Sequence, residues 1–198
     1  MILYGAGGHA HVVSESLRAS GAIVRGVIDD NHKIELFEKF NVYHGYSPNY
    51  MDGEELIIAI GSNKIRYRLS EIILHAYGIC KDTSAHISKS VIIGSGSMIL
   101  AKSTIQTHSK IGDHVIVNTG AIVEHDCEID DFVHIGPGSV ICGEVRVGRG
   151  ALIGANSTIL PRVKIGDWAT IGAGSVVLKD VKPGEKVAGN PAKTITAK

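Results

Sequence analysis

The chain carries no net charge, because 20 lysines and arginines balance 20 aspartates and glutamates. That balance argues against a nucleic-acid groove or an anionic membrane surface as its main partner. It has no run of the roughly 18 apolar residues that a membrane-spanning helix needs. The opening Met1-Ile2-Leu3-Tyr4-Gly5 lacks the basic segment and small-residue cleavage site of a signal peptide, so the expected location is the cytoplasm. Cysteine is sparse: Cys80, Cys127 and Cys142 are odd in number and fit no metal-ligand spacing. Aromatic residues make up only 5%. Glycine is plentiful, 24 among 198 residues, a bias that suits a repeat with many tight corners. The length allows one large domain or two small ones, each able to bury a core.

A strict period appears from Ile87 onward. Stepping by six gives Ile87, Ile93, Ile99, Ile105, Ile111, Val117, Val123, Ile129, Ile135, Ile141, Val147, Ile153, Ile159, Ile165, Ile171 and Val177, all Ile or Val. The position four residues after each is small throughout: valine, serine, alanine or cysteine. Each six-residue unit reads as a short strand and a corner, with the Ile or Val inward. Glycines such as Gly94, Gly112, Gly136 and Gly172 follow the inward residue, where they permit close approach or positive φ. Three units make a coil of 18, and stacked coils make a parallel β-helix. Roughly five coils fit, about 24 Å tall at ordinary strand spacing. A sandwich would instead show period-two alternation and irregular turns.

Residues 1–82 lack this period. A strand (1–4), the glycine turn Gly5-Ala6-Gly7-Gly8-His9-Ala10, a helix (12–19), a strand (23–28) ending at Asp29-Asp30, a strand (56–60) and a helix (65–76) predict a small Rossmann-like unit. Gly5, Gly7 and Ala10 match G-x-G-x-x-A, and Asp29 lies where a ribose-binding acid is expected. An NAD site is one reading. The unit is little more than one mononucleotide-binding half, so a single nucleotide, as in a nucleotide-sugar, fits better; a plain βα turn is the structural alternative. The expected division is 1–82, a nucleotide-sugar-binding domain, and 83–198, a catalytic β-helix with a C-terminal tail.

The six-residue columns resemble those of the hexapeptide-repeat acyltransferases. Gly5-Ala6-Gly7-Gly8-His9-Ala10, Asp29-Asp30, Ile60-Gly61-Ser62-Asn63-Lys64-Ile65-Arg66, Glu124-His125-Asp126 and Ala188-Gly189-Asn190-Pro191-Ala192-Lys193 narrow the resemblance to the sugar O- and N-acetyltransferase family. That family includes bacterial enzymes acting on UDP-4-amino-sugars, GDP-perosamine or sialic acid. The resemblance implies a left-handed β-helix, a homotrimer, acetyl-CoA as co-substrate and no metal. It implies His125 as general base with a carboxylate matching Asp126, and acetyl transfer by direct attack without an acyl-enzyme. An imidazole suits proton transfer near neutral pH. Strand neighbours point to opposite faces. Asp126 therefore assists His125 only if a corner bends the chain between them, and Glu124 meets the same objection. The resemblance further implies that His134 lies near the thioester, that the Gly143 N–H polarises its carbonyl, that Gly172 and Ala173 line the pantetheine groove, and that Gly189, Asn190 and Pro191 cover the adenine. Gly7, Gly8, His9, Asp29 and Asp30 are expected on the nucleotide-sugar, and Asn118 on the acceptor.

The leading reading is an N-acetyltransferase for a nucleotide-linked amino sugar. A sialic acid O-acetyltransferase keeps the β-helix but makes the nucleotide motif superfluous. A cysteine nucleophile lacks a visible base: Cys127 lies in the small column, and Cys142 follows an inward Ile. A zinc hydratase needs three histidine ligands, yet His108, His114, His125 and His134 contain no pair 18 apart. A non-catalytic nucleotide-sugar sensor would not need the His125-Asp126 pair.

Overall fold

The structure is a computed structural model describing residues 1–195. The N-terminal unit holds a three-stranded parallel sheet, β1 (Ile2–Tyr4), β2 (Gly26–Ile28) and β5 (Leu56–Ile58), in the order β2-β1-β5. Helix α1 (Gly8–Ala19) follows β1, and α2 (Asn63–Ser70) follows β5. A small hairpin, β3 (Leu36–Phe37) and β4 (Phe40–Asn41), intervenes. The sheet residues are buried on both faces, as the apolar runs Ile-Leu-Tyr, Gly-Val-Ile and Leu-Ile-Ile dictate for a parallel sheet. Both helices begin earlier than their apolar periodicity indicates, because Gly8 and Asn63 join at turns with no apolar residue to mark them.

The rest of the described chain is a parallel β-helix of two-residue strands on three faces, with eight, six and five strands, the eight closing on the three-residue Lys186–Ala188 and the antiparallel Lys193–Thr194. Register advances by one coil at every pairing, as in Thr104↔Ile122, Lys110↔Glu128 and Ile116↔His134. The inward column from Ile99 to Val177 is at most 2% exposed. Burying each such side chain contributes about 1.5–3 kcal/mol. The first ladder begins at Cys80–Lys81, so six coils open at Cys80, Met98, Ile116, His134, Leu152 and Thr170, one more than the period suggested. Lys81 stands in register with Ile99 but is exposed, so the first strand of that coil carries no apolar signal, although Ile87 and Ile93 carry it on the other two.

The corners divide two roles that the sequence had merged. From Gly96 to Gly174 left-handed φ falls on every sixth residue, three after the inward one, and includes Lys102, His108, His114, Asp126, Phe132, Glu144, Asn156, Arg162 and Trp168. The glycines directly after the inward residue are needed for close approach instead: a Cβ on Gly136 would lie 2.6 Å from the Ile153 carbonyl.

The three faces differ outside. One is covered by the N-terminal unit, which buries Met98 and Ile116 against α1 and β1. A second presents Lys110, Glu128, Arg146 and Lys164 to solvent. The third presents Thr104, Ile122, Val140, Thr158 and Val176, half-buried and uncharged. Among the described residues no helix is long and apolar enough to cross a membrane.

Candidate active site

The edge between the charged and the uncharged face carries His125 and Asp126. His125 Nδ1 lies 2.8 Å from Asp126 Oδ2. The corner makes this contact possible: Asp126 has φ 58°, which turns its side chain back onto its neighbour. The structure therefore chooses Asp126 over Glu124 as the partner. Since a carboxylate only accepts, Nδ1 carries the ring proton and Nε2 presents its lone pair. Gly143 stacks one coil above, and a Cβ there would stand 2.6 Å from His125 Nε2. Gly143 thus keeps the space the imidazole uses. Its N–H finds no acceptor among the described residues. The pair is half-exposed, at 54% and 51%.

A second cluster lies on the covered face. His134 Nδ1 is 3.1 Å from the Gly61 carbonyl, which fixes the proton on Nδ1, and Nε2 accepts from Asn118 Nδ2 at 3.0 Å. Burial and the Arg66 charge push the His134 imidazole down to about 4. His9, in the glycine turn, has its ring centroid 6.3 Å from that of His134. It too is pushed down to about 4, by burial and then Arg66, and its buried Nε2 has no hydrogen-bond partner. Gly7 and Gly8 face open space at the start of α1, so backbone N–H groups are accessible there. Gly5 is required by the chain itself, with φ +117° and a Cβ position 3.0 Å from the Ala59 carbonyl. Asp29 braces this turn, accepting the Ala6 N–H at 2.7 Å and the Asn31 N–H at 2.8 Å. Asp30 accepts the Tyr4 hydroxyl.

Gly172 and Ala173 sit high on the other edge of the uncharged face. Gly189, Asn190 and Pro191 form a turn beside them, with the Gly189 N–H 3.2 Å from Ser175 Oγ. Within one chain, then, His125, Asp126 and Gly143 share one edge, Asn118, Gly172, Ala173 and the 189–191 turn another, and His134 lies on the face beyond.

Arg66 entered the sequence reading only as the end of the Ile60–Arg66 motif, with no role of its own. It is 0% exposed and donates to the carbonyls of Ile60, Gly61, His114 and Phe132 and to Asn63 Oδ1. Burial without a carboxylate pushes its guanidinium down to about 9. Asn63 donates to the carbonyls of Gly150 and Ala151. Together they rivet α2 to three successive coils and set the Gly61 carbonyl that orients His134. Their signal was available: Asn63, Arg66 and Leu69 are three apart on one helix stripe, so polar groups occupy the buried face. Among the described residues no group of three or more His, Cys, Asp or Glu is placed to hold a metal ion.

A β-helix with an imidazole–carboxylate pair on its edge and a glycine-turn α/β unit on one face has the layout of an acyltransferase. Residues 1–73 match the PglD N-terminal domain model, and residues 108–143 and 144–179 match bacterial transferase hexapeptide repeats. The perosamine N-acetyltransferase of Caulobacter crescentus, solved with CoA and GDP-perosamine, is 34% identical over 99% of this chain and 96% of that one, TM-score 0.94. The acetyltransferase domain of PglB from Neisseria gonorrhoeae, solved with acetyl coenzyme A, is 35% identical over 98% of each chain, TM-score 0.89. An uncharacterized protein, L142 of Acanthamoeba polyphaga mimivirus, is 36% identical over 114 residues, and the chain spans 23% of its length. The chain belongs to the hexapeptide-repeat sugar acetyltransferases and has their left-handed β-helix.

Proposed function

We propose that this protein moves the acetyl group of acetyl-CoA to the amine of a nucleotide-linked amino sugar, of the UDP-4-amino-sugar or GDP-perosamine type. The observation that carries the reading is the His125–Asp126 contact beneath Gly143. With its proton held on Nδ1, His125 offers Nε2 to the attacking amine, and Asp126 stabilises the imidazolium that forms. The unpartnered Gly143 N–H is a donor for the developing oxyanion. No acyl-enzyme is needed, and the imidazole then returns the proton to the departing thiolate.

The glycine turn supports a nucleotide acceptor. Gly7 and Gly8 leave room for a diphosphate at the start of α1, and His9, Asp29, Asp30 and Asn118 surround that approach. The arrangement of edges supports a homotrimer. If the uncharged faces of three copies meet on a threefold axis, the His125 edge of one copy meets the Gly172–Ala173 edge of the next. His134, Gly143 and the turn at Gly189, Asn190 and Pro191 would then border one groove for acetyl-CoA.

The test follows thiol release from acetyl-CoA with UDP-4-amino-sugars, GDP-perosamine and sialic acid as acceptors. Turnover on an amino-sugar nucleotide, lost by about 10²–10⁴-fold in His125→Ala, is the expected result. Turnover on sialic acid alone would replace N- by O-acetylation, and a fully active His125→Ala would remove the assigned base.

A further inference from the structure

Asp126 faces two imidazoles. Corner residues recur every 18 positions, so the His125 edge stacks Ser90, His108, Asp126, Glu144 and Arg162 in one column. Asp126 Oδ2 holds His125, while Oδ1 lies 3.6 Å from His108 Nδ1 in the coil below. That separation is too long for a hydrogen bond and within reach of an ion pair. The His108 backbone is fixed by the corner: its φ is 62°, and its N–H donates to Ser90 Oγ at 2.9 Å, while the ring itself is exposed. Above Asp126, Glu144 is engaged by Arg162 at 3.1–3.3 Å. The charged group facing His108 is thus Asp126, from the coil above. The coil below offers the neutral Ser90 hydroxyl, and His125 stands across the carboxylate.

We propose that His108 is a positioning residue that gates the dyad in acid: when protonated it shares the Asp126 carboxylate and leaves His125 without its counter-charge. This rests on His125 being the base. Catalysis puts a positive charge on His125, and one carboxylate then serves one cation. A proton on His108 adds a second cation to that carboxylate. The productive state therefore has both rings neutral before attack.

The acid limb of kcat/KM is the direct readout, measured with acetyl-CoA and the acceptor found active. Both enzymes should lose about tenfold per pH unit in acid as His125 takes its proton, and wild type should lose up to about tenfold more than His108→Gln as His108 takes its own. His108→Lys places a permanent cation against Asp126 and should lose about tenfold in kcat at the pH optimum, with KM for acetyl-CoA unchanged. An acceptor-free arm follows the His125 ring nitrogens by NMR: two steps in wild type, one in His108→Gln. Melting curves show that each variant is folded. An acid limb and a His125 titration unaltered in His108→Gln, or a fully active His108→Lys, overturn the proposal. A silent His125→Ala with unaltered His108 variants overturns only this inference, whereas an active His125→Ala overturns the assignment of the base.

Discussion

Replacing Gly143 by alanine tests the site with one carbon. The new methyl would stand 2.6 Å from His125 Nε2 and 2.7 Å from Cε1. Carbon contacts settle at about 3.5–4.0 Å, so the imidazole must move by about 1 Å or rotate away. The backbone is not the obstacle, because Gly143 is not among the left-handed glycines. What yields is the outer tip of a half-exposed ring, so the fold should lose little and the melting temperature should move by less than about 2 °C. Catalysis has no such slack. A misplacement of about 1 Å costs on the order of 100-fold, so kcat/KM should fall about 100-fold, near 2.7 kcal/mol of transition-state stabilisation. The assay is thiol release at saturating acetyl-CoA, beside a thermal melt of the same preparation. A Gly143→Ala enzyme within about threefold of wild type would refute the reasoning, because the ring would then not be working where the structure places it.

Asp126→Asn keeps the shape but can offer a donor to Nδ1 and so favour the wrong tautomer; kcat should fall about 10²-fold or more, read by the same assay. Stability should fall with acid in a defined window. His9, His114 and His134 are each pushed down to about 4 in the fold, from 6.5. Stability is therefore intact above pH 6.5 and falls as pH drops toward 4, where the unfolded chain binds protons that the folded chain refuses, by at most about 4 kcal/mol per pH unit for three histidines. Urea midpoints across that range check this, and His114→Phe should flatten the slope by about a third, since its buried Nδ1 has no partner. Arg66→Lys cannot reach the same carbonyls and should destabilise by about 3 kcal/mol, seen in urea melts. Val140→Arg puts a charge on the uncharged face and, if the proposed trimer forms through that face, should convert it to monomers by analytical ultracentrifugation.

The β-helix was legible because its core imposes one rule on every coil. An inward Ile or Val each sixth residue cannot be disguised, and only the first strand of the first coil, Cys80–Lys81, escaped. The α/β unit was legible from its glycine turn, though the bounds of its helices were not, since Gly8 and Asn63 enter helices without an apolar marker. Of the site, His125 and Asp126 were named from resemblance, but their contact was not readable from strand alternation. It depends on a left-handed φ at Asp126, whose only signal was the glycines at 96, 120, 138, 150 and 174 in the same six-residue column. Arg66 stayed hidden for a different reason: a charged residue on a helix reads as solvated until the opposing carbonyls are known, and those come from residues 48 and 66 positions away.

The rivets from α2 also divide the solenoid mechanically. Arg66 and Asn63 grip the coils at His114, Phe132 and Gly150, while the coils beyond Thr170 end in a short hairpin. A stack whose coils touch only their neighbours loosens first where nothing clamps it. Among the described residues α2 grips the coils from His114 to Gly150, so heat or force should open the coil beyond Thr170 before these. The coils of His125 and Gly143 lie within the clamped stretch, so this edge should hold its shape until the last coils to open give way.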